Sequence, residues 1–130
     1  MRNRLQIPKA PRISESEEQK TVMQWAEWNT GRYPQLKWLY HIPNGGKRSK
    51  AEAARFKTEG VKAGVSDLCL PSPSGKYHGL YVEMKALDGT PEAEQLEFLR
   101  FVRSQGYAGF VCYGADEAIK VIEKYIKGEF

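Results

Sequence analysis

The sequence predicts an α/β fold in which helices and strands follow in the order αβαββαβα. A helix-capping pattern begins at Ser14, two apolar runs flank a segment rich in Pro, Ser and Gly at residues 71–76, and an amphipathic run closes the chain from Ala115. At 130 residues, 41% of them hydrophobic, the chain is long enough for one core and too short for two. We therefore expect a single domain over residues 14–130, preceded by a basic arm at residues 1–13.

The first half of the chain is expected to hold two helices and one strand. Ser14, followed by Glu17 three residues later, is a capping-box pattern that starts a helix ending near residues 29–31. The apolar run LKWLYHI at residues 36–42 predicts a strand. Ser49 then predicts the N-cap of a second helix.

The second half begins with two strands, and the segment at residues 71–76 suits a hairpin turn between them. A third helix is expected to start with Pro91 at its first position. A strand at residues 107–113 and a helix at residues 115–127 complete the order. The buried face of the third helix is expected to consist of Leu96, Leu99 and Val102.

Two carboxylates and an amine interrupt the apolar pattern of the hairpin. Asp67 precedes the apolar run at residues 68–70, and Glu83 and Lys85 alternate with apolar residues of the next strand. Residues two apart in a strand share a face, so Glu83 and Lys85 should point to the same side. The hairpin would place Asp67 beside Glu83, and two adjacent carboxylates repel each other unless a divalent cation lies between them. Oxygen ligands without a Cys or His cluster favour Mg²⁺ or Mn²⁺ over zinc.

The pattern of Asp67 followed by Glu83-Met84-Lys85 resembles the PD-(D/E)XK nuclease superfamily, and more narrowly its VRR-NUC (virus-type replication-repair nuclease) domains. Four further features match that family: an early helix with Glu15 and Gln19, an Asn44-Gly45-Gly46 turn, the segment Gly64-x-Ser66-Asp67-Leu68, and Gln95 on the third helix. The resemblance covers residues 14–125. It implies a restriction-endonuclease-like αβββαβ core with a mixed central sheet flanked by helices.

The resemblance also implies roles for individual residues. The catalytic set would be Asp67, Glu83, Lys85, Gln95 and Glu15, and the ligands of Mg²⁺ (or Mn²⁺) would be Asp67, Glu83 and the main-chain carbonyl of Met84. Gln95 stands in register with the buried stripe of its helix, so its amide is expected to reach the sheet near Lys85. A surface glutamine without a role is the alternative.

The first helix offers two carboxylates for the site. Glu15 shares a helix face with Gln19 and Val22, but Glu18 shares one with Val22 and Trp25 equally well. Periodicity does not choose between them, whereas the E-x-x-x-Q spacing of the family favours Glu15. Both could instead be acids that the helix N-terminal dipole favours.

Positive charge is concentrated beside this candidate site. The chain has a formal net charge of +4, and residues 47–62 alone carry six cations against two anions. Such a segment suits a phosphate backbone, and the alternative is a solvated helix face. The residues expected to contact nucleic acid are Asn44, Lys47, Arg48, Lys50 and Arg55. For His41, a satisfied polar residue is favoured over a substrate contact.

The function expected from these features is that of a Mg²⁺-dependent DNA endonuclease. The resemblance implies branched DNA such as Holliday junctions as substrate, a homodimer, and a process such as DNA repair, recombination or phage genome processing. The alternatives are a DNA-binding module that does not cut, and a sequence-specific restriction-type enzyme. The aromatic residues available for a dimer interface are Trp25, Trp28, Trp38, Tyr33 and Tyr40, although we expect most of them in the core.

Cysteine usage and hydropathy bound the location. Cys69 and Cys112 lie far apart in apolar runs, which predicts reduced core thiols and no structural zinc. No apolar run approaches the roughly 20 residues that span a bilayer, and the N-terminus lacks the apolar stretch of a signal peptide. We therefore expect a cytoplasmic protein, acting in the host cytoplasm if it is virus-encoded.

Overall fold

The computed structural model describes residues 13–43 and 49–130. A mixed sheet of four strands in the order β1-β2-β3-β4 lies at the centre, with β3 and β4 parallel and the other neighbouring pairs antiparallel. The strands are β1 (Tyr40–His41), β2 (Leu68–Leu70), β3 (Leu80–Lys85) and β4 (Ala108–Tyr113). The helices are α1 (Glu15–Trp28), α2 (Lys50–Thr58), α3 (Ala93–Ser104) and α4 (Ala115–Ile126). The predicted α/β class and mixed sheet are confirmed.

The helix starts follow local capping chemistry. The Ser14 hydroxyl accepts a hydrogen bond from the backbone N–H of Glu17 at 3.2 Å, and that of Ser49 accepts one from Glu52 at 3.1 Å. Both helices therefore begin where the sequence predicts. Residues 1–12 of the predicted arm lie outside the described residues, so its boundary stays a prediction.

The strand predicted over residues 36–42 is wrong for most of its length. The chain forms a 3-10 helix over Pro34–Trp38, and only Tyr40–His41 forms a strand. Pro34 presets the backbone for the first helical position, and a period of three residues places Leu36 and Leu39 on one side. Both leucines are buried, so this short helix anchors the edge of the sheet.

The start of α3 also differs from the prediction. Glu92 is the N-cap, so Pro91 precedes the cap and does not occupy the first helical position. Leu99 and Val102 are buried as expected, whereas Leu96 remains 37% exposed. One turn of the predicted stripe therefore faces away from the core.

The core lies on one face of the sheet, against α1 and α4. It combines apolar residues of β2 and β3, such as Leu68 and Val82, with Val22 of α1 and Ile122 of α4. Helix α3 packs against β4. Cys69 and Cys112 are both free and buried, which confirms them as reduced core thiols.

The expectation that most of the five aromatic residues belong to the core is wrong. Tyr33 is buried and Trp25 packs partly buried against the core, but Trp28, Trp38 and Tyr40 are 74%, 64% and 47% exposed. Trp28 ends α1, and Trp38 and Tyr40 lie at the edge of the sheet. Within residues 13–43 and 49–130, none of the helices has the length and apolar character needed to cross a bilayer.

Candidate active site

The hairpin of β2 and β3 brings the two predicted carboxylates together. Leu68 pairs with Val82, so Asp67, immediately before β2, lies opposite Glu83. The carboxylate of Asp67 accepts a hydrogen bond from the backbone N–H of Met84 at 2.7 Å. This bond fixes the Asp67 side chain over β3, where the sequence predicted it.

Glu83 is almost completely buried, with 1% of its surface exposed. Burial, together with a hydrogen bond to Asp67 and the negative charge of Asp67, raises the pKa of Glu83 to about 9, while Lys85 opposes the shift. Its Oε1 atom is buried and has no hydrogen-bond partner among residues 13–43 and 49–130. A buried oxygen in this position is suited to a cation that neutralises both carboxylates.

Lys85 extends the same face of β3. Its Nζ lies 3.5 Å from the Glu15 carboxylate of α1 and 4.0 Å from that of Glu83, and its side chain is buried. The amine is thus held between two acids. Of these two acids, Glu15 is the more exposed, since half of its side chain is accessible whereas that of Glu83 is buried.

The second candidate acid of α1 has a different position. The carboxylate of Glu18 accepts a hydrogen bond from the backbone N–H of Ala115, the first residue of α4. It therefore caps α4, whose N-cap residue Gly114 has no side chain to do so. Of the two glutamates, only Glu15 is in contact with Lys85.

Gln95 lies partly buried on the wall of the same cleft. Its side-chain oxygen accepts a hydrogen bond from the backbone N–H of Glu92 at 2.8 Å, which completes a capping box for α3. The side chain was expected to contact the sheet near Lys85. Its oxygen instead caps the exposed start of α3.

A cleft of about 560 Å³ joins these groups. Its wall includes Glu15, His41, Asp67, Glu83, Lys85 and Gln95. Glu92 and Glu94, from the start of α3, also line it and were missed by sequence reasoning. In the sequence they stand at the start of the predicted third helix, and no local pattern places that helix start beside the hairpin.

Gly64 explains how the start of α3 reaches the hairpin. It has φ +86, and an added Cβ would lie 2.6 Å from the backbone oxygen of Glu94. Only glycine allows both this conformation and this close approach. The segment before Asp67 is thereby packed directly against α3.

His41 is oriented by the backbone of the acidic residue. Its Nδ1 lies 2.8 Å from the carbonyl oxygen of Asp67, and the exposed ring stands in the wall of the cleft. Nδ1 thus has a polar partner, as expected for a satisfied polar residue. In addition, the ring lies in the wall of the cleft.

The nucleic-acid contacts predicted from charge are only partly described. Asn44, Lys47 and Arg48 lie outside the described residues. Lys50 and Arg55 are exposed on α2, where Arg55 pairs with Glu59 at 3.6 Å. Neither is among the described residues of the cleft wall.

The donor set of the cleft fits a hard divalent ion. In the described part of the chain, no three His, Cys, Asp or Glu side chains form a complete metal cluster. Mg²⁺ commonly takes only one or two carboxylates and keeps several waters, so Asp67, Glu83 and a main-chain carbonyl are sufficient in kind. The unpartnered Oε1 of Glu83 is the observation that supports this fit.

The mixed sheet, with an acid pair and a lysine on its central hairpin, defines a PD-(D/E)XK-like nuclease fold. The family model of the VRR-NUC domain matches residues 12–116, and the chain belongs to this family. A solved structure described as a VRR_NUC domain protein is 34% identical, with a TM-score of 0.77, and the match covers 90% of this chain and 91% of that one. No curated protein matches the sequence.

Proposed function

We propose that this chain is a metal-dependent endonuclease that hydrolyses phosphodiester bonds in DNA. The carrying observation is the pair of half-buried Asp67 and buried Glu83, in which Oε1 of Glu83 has no hydrogen-bond partner among the described residues and the Lys85 amine lies 4.0 Å from Glu83. A protein that only binds DNA has no electrostatic reason to keep such paired acids facing an anionic ligand. The family assignment supports the same class of activity.

The metal ligands in this proposal are Asp67, Glu83 and the main-chain carbonyl of Met84, with Mg²⁺ or Mn²⁺ as the ion. When bound, such an ion polarises the scissile phosphate and increases the acidity of water. Asp67 keeps its orientation through its bond to the backbone of Met84. Glu83 contributes the oxygen that has no other partner.

The other cleft residues position the reacting groups. The protonated amine of Lys85 orients the attacking water and offsets negative charge that grows on the phosphate oxygens. Glu15 holds that amine from the side of α1, at 3.5 Å. Gln95 uses its oxygen for the helix cap, which leaves its amide nitrogen to donate into the cleft.

The proposal is tested by incubating the purified chain with end-labelled linear, flap and four-way-junction DNA, in Mg²⁺ or in EDTA. We expect cleavage in Mg²⁺ alone, and a loss of about two to three orders of magnitude in Asp67→Asn and Lys85→Ala. Glu129→Gln, which removes an exposed acid after α4, is the matched control and should cut normally. Wild-type cleavage by Asp67→Asn would refute the assignment.

We further propose that branched DNA is the preferred substrate and that Lys50 and Arg55 contact its backbone. Both side chains are exposed and cationic, on a helix with no buried residue. In the same assay, the junction should be cut faster than the linear duplex. Binding without cutting would instead identify a DNA-binding module, and cutting at one fixed sequence of linear DNA a restriction-type enzyme.

A two-fold dimer belongs to this proposal, since it would present two cleavage sites to two strands of a junction. Trp28 and Trp38, which are 74% and 64% exposed, are the candidate contact residues. Light scattering during gel filtration should give twice the chain mass of 14.8 kDa. A monomer mass at micromolar concentration would contradict the dimer.

We also propose that the protein acts on DNA in the cytoplasm, in repair or phage genome processing.

A further inference from the structure

A row of three side chains crosses the sheet beside the acid pair. Tyr40 of β1 pairs with Cys69 of β2, which in turn pairs with Tyr81 of β3. The thiol of Cys69 lies between the two tyrosines and interacts with the hydroxyl groups of both. The three side chains therefore share one face of the sheet.

That face is the one that carries the acids. Asp67 stands two residues before Cys69, and Glu83 stands two residues after Tyr81. Strand residues two apart point to the same side. The spacing corresponds to about 7 Å along the strands, or about two base steps of stacked DNA. A DNA strand with its phosphate at the acids and its backbone running along the β-strands would bring a neighbouring base level with this row.

Tyr40 is the accessible member of the row. It is 47% exposed, whereas Cys69 is buried and Tyr81 is half-buried. Its hydroxyl group interacts with the thiol of Cys69, the residue with which it pairs across the sheet. An exposed aromatic ring would otherwise be free to turn, but this one is held by its hydroxyl group.

Two further aromatic rings pack against the Tyr81 end of the row. Tyr81 packs edge-on against Phe98 of α3, with ring centroids 5.2 Å apart, and also contacts Tyr107 at 5.5 Å. These contacts restrict the side chain of Tyr81. Tyr81 interacts with the thiol of Cys69, which also interacts with Tyr40. Exposed Lys37 lies just before β1 and adds positive charge close to Tyr40 in the chain.

We propose that Tyr40 is a stacking platform for a nucleobase one or two nucleotides from the scissile phosphate, and that the base it accepts is unpaired. This inference rests on the proposed nuclease function, because the adjoining cleft supplies the reason for a DNA strand to lie there. A base inside a continuous duplex is already stacked on both faces. Only a base at a gap, an end or a branch point has a free face to offer to the ring, so the platform selects DNA that is open beside the cut.

The test measures binding in EDTA, where no metal supports cutting. Fluorescence anisotropy compares a continuous duplex, the same duplex with a short single-stranded gap, and a single strand. Tyr40→Leu, which keeps apolar bulk but removes the ring, should weaken binding to the gapped and single-stranded probes by about 5- to 100-fold. It should change duplex binding by less than about twofold. Tyr40→Phe keeps the ring but loses the hydroxyl contact with Cys69, so it should bind the gapped and single-stranded probes far more tightly than Tyr40→Leu.

A second readout reports stacking directly. 2-Aminopurine placed in the gap should lose fluorescence on binding the wild type or Tyr40→Phe, and should keep it on binding Tyr40→Leu. Phe101→Leu is the matched control, because Phe101 is 61% exposed on α3 and should have no effect on either readout. Thermal unfolding of Tyr40→Leu checks that the variant is folded.

The outcomes separate this inference from the function on which it rests. If the wild type cuts in Mg²⁺ but folded Tyr40→Leu binds gapped DNA as tightly, or loses affinity equally for all three probes, the stacking role is overturned and the nuclease stands. If the wild type neither binds nor cuts any probe, both fail. Selective loss in Tyr40→Leu with retention in Tyr40→Phe supports the platform.

Discussion

The buried carboxylate of Glu83 lowers the stability of the metal-free fold, yet it supplies an oxygen to the proposed metal site. Its side chain is buried among apolar strand residues, beside a second acid, and its pKa is raised to about 9. At neutral pH without a metal, the folded protein therefore favours the protonated form of this carboxyl group. A bound divalent cation reverses that preference, because it stabilises the ionised form.

This reversal predicts how stability depends on pH. The folded pKa of Glu83 lies above the ordinary value of 4.5, so its contribution to stability is complete below about pH 4.5 and is lost as pH rises towards about 9. Glu83→Gln removes the titration, and without metal the variant should gain about 1 kcal/mol or more over the wild type at pH 8 relative to pH 5. Urea unfolding in EDTA at the two pH values measures this difference. A pH-independent difference would contradict the raised pKa.

Gly64 gives a second prediction at the level of one residue. Gly64→Ala combines a positive φ of +86 with a Cβ placed 2.6 Å from a backbone oxygen, whereas Gly60→Ala has a positive φ of +103 but no atom of the described residues within 4 Å of the added Cβ. Both should lose about 1 kcal/mol from φ alone, and Gly64→Ala should lose at least as much again from the clash. Denaturant melts of the pair isolate the contact with α3. Equal losses would show that the segment before Asp67 yields easily.

Helix α1 is the element that connects the site to the rest of the fold. One turn of it supplies Glu15 to Lys85 and Glu18 to the start of α4. The two acids are three residues apart, yet one serves the cleft and the other a helix cap. Their effects should therefore separate.

We expect Glu18→Ala to cost about 0.5–2 kcal/mol of stability, as the loss of a helix cap does, while the folded enzyme keeps its cleavage rate. Glu15→Ala should leave stability within about 0.5 kcal/mol, because the Glu15 side chain is half exposed and buried Lys85 keeps Glu83 at 4.0 Å, and should lower cleavage. Thermal melts and single-turnover cleavage of both variants, read together, provide the test. The reverse pattern would exchange the roles of the two glutamates.

At the scale of the whole molecule, the proposed metal site would link metal binding to folding. The proposed ligands come from both strands of the central hairpin, so they are assembled only in the folded chain. Ligand that binds the native state alone raises the free energy of unfolding by about 2.7 kcal/mol at a concentration of 100 Kd.

Mg²⁺ should accordingly raise the melting temperature of the wild type in a concentration-dependent way. Asp67→Asn should show a much smaller rise, and Glu129→Gln, an exposed acid after α4 and far from the acid pair in sequence, should respond like the wild type. Differential scanning calorimetry across a Mg²⁺ series, with NaCl at matched ionic strength as reference, measures the effect. An equal rise in Asp67→Asn would remove that residue from the ligand set.

Local chemistry made some elements predictable and others not. Ser14 and Ser49 cap helices through bonds to residues three positions away, so the sequence contains the whole interaction. At residues 36–42 the short apolar run suits a strand or a helix equally, and Pro34, outside that run, favours the 3-10 helix. The exposure of Trp38 and Tyr40 follows from that change and from their place at the sheet edge.

The sequence by itself determined which two strands carry the candidate active-site residues. Alternation in β3 and the short turn-rich connection place Asp67, Glu83 and Lys85 together, and both features act between near neighbours in the chain. Only the tertiary structure decided which acid of α1 faces Lys85 and what the side chain of Gln95 contacts. These choices depend on how α1 packs against β3 and α4, and on where α3 starts. Helical periodicity limits such choices to a face, and packing between distant segments selects the residue.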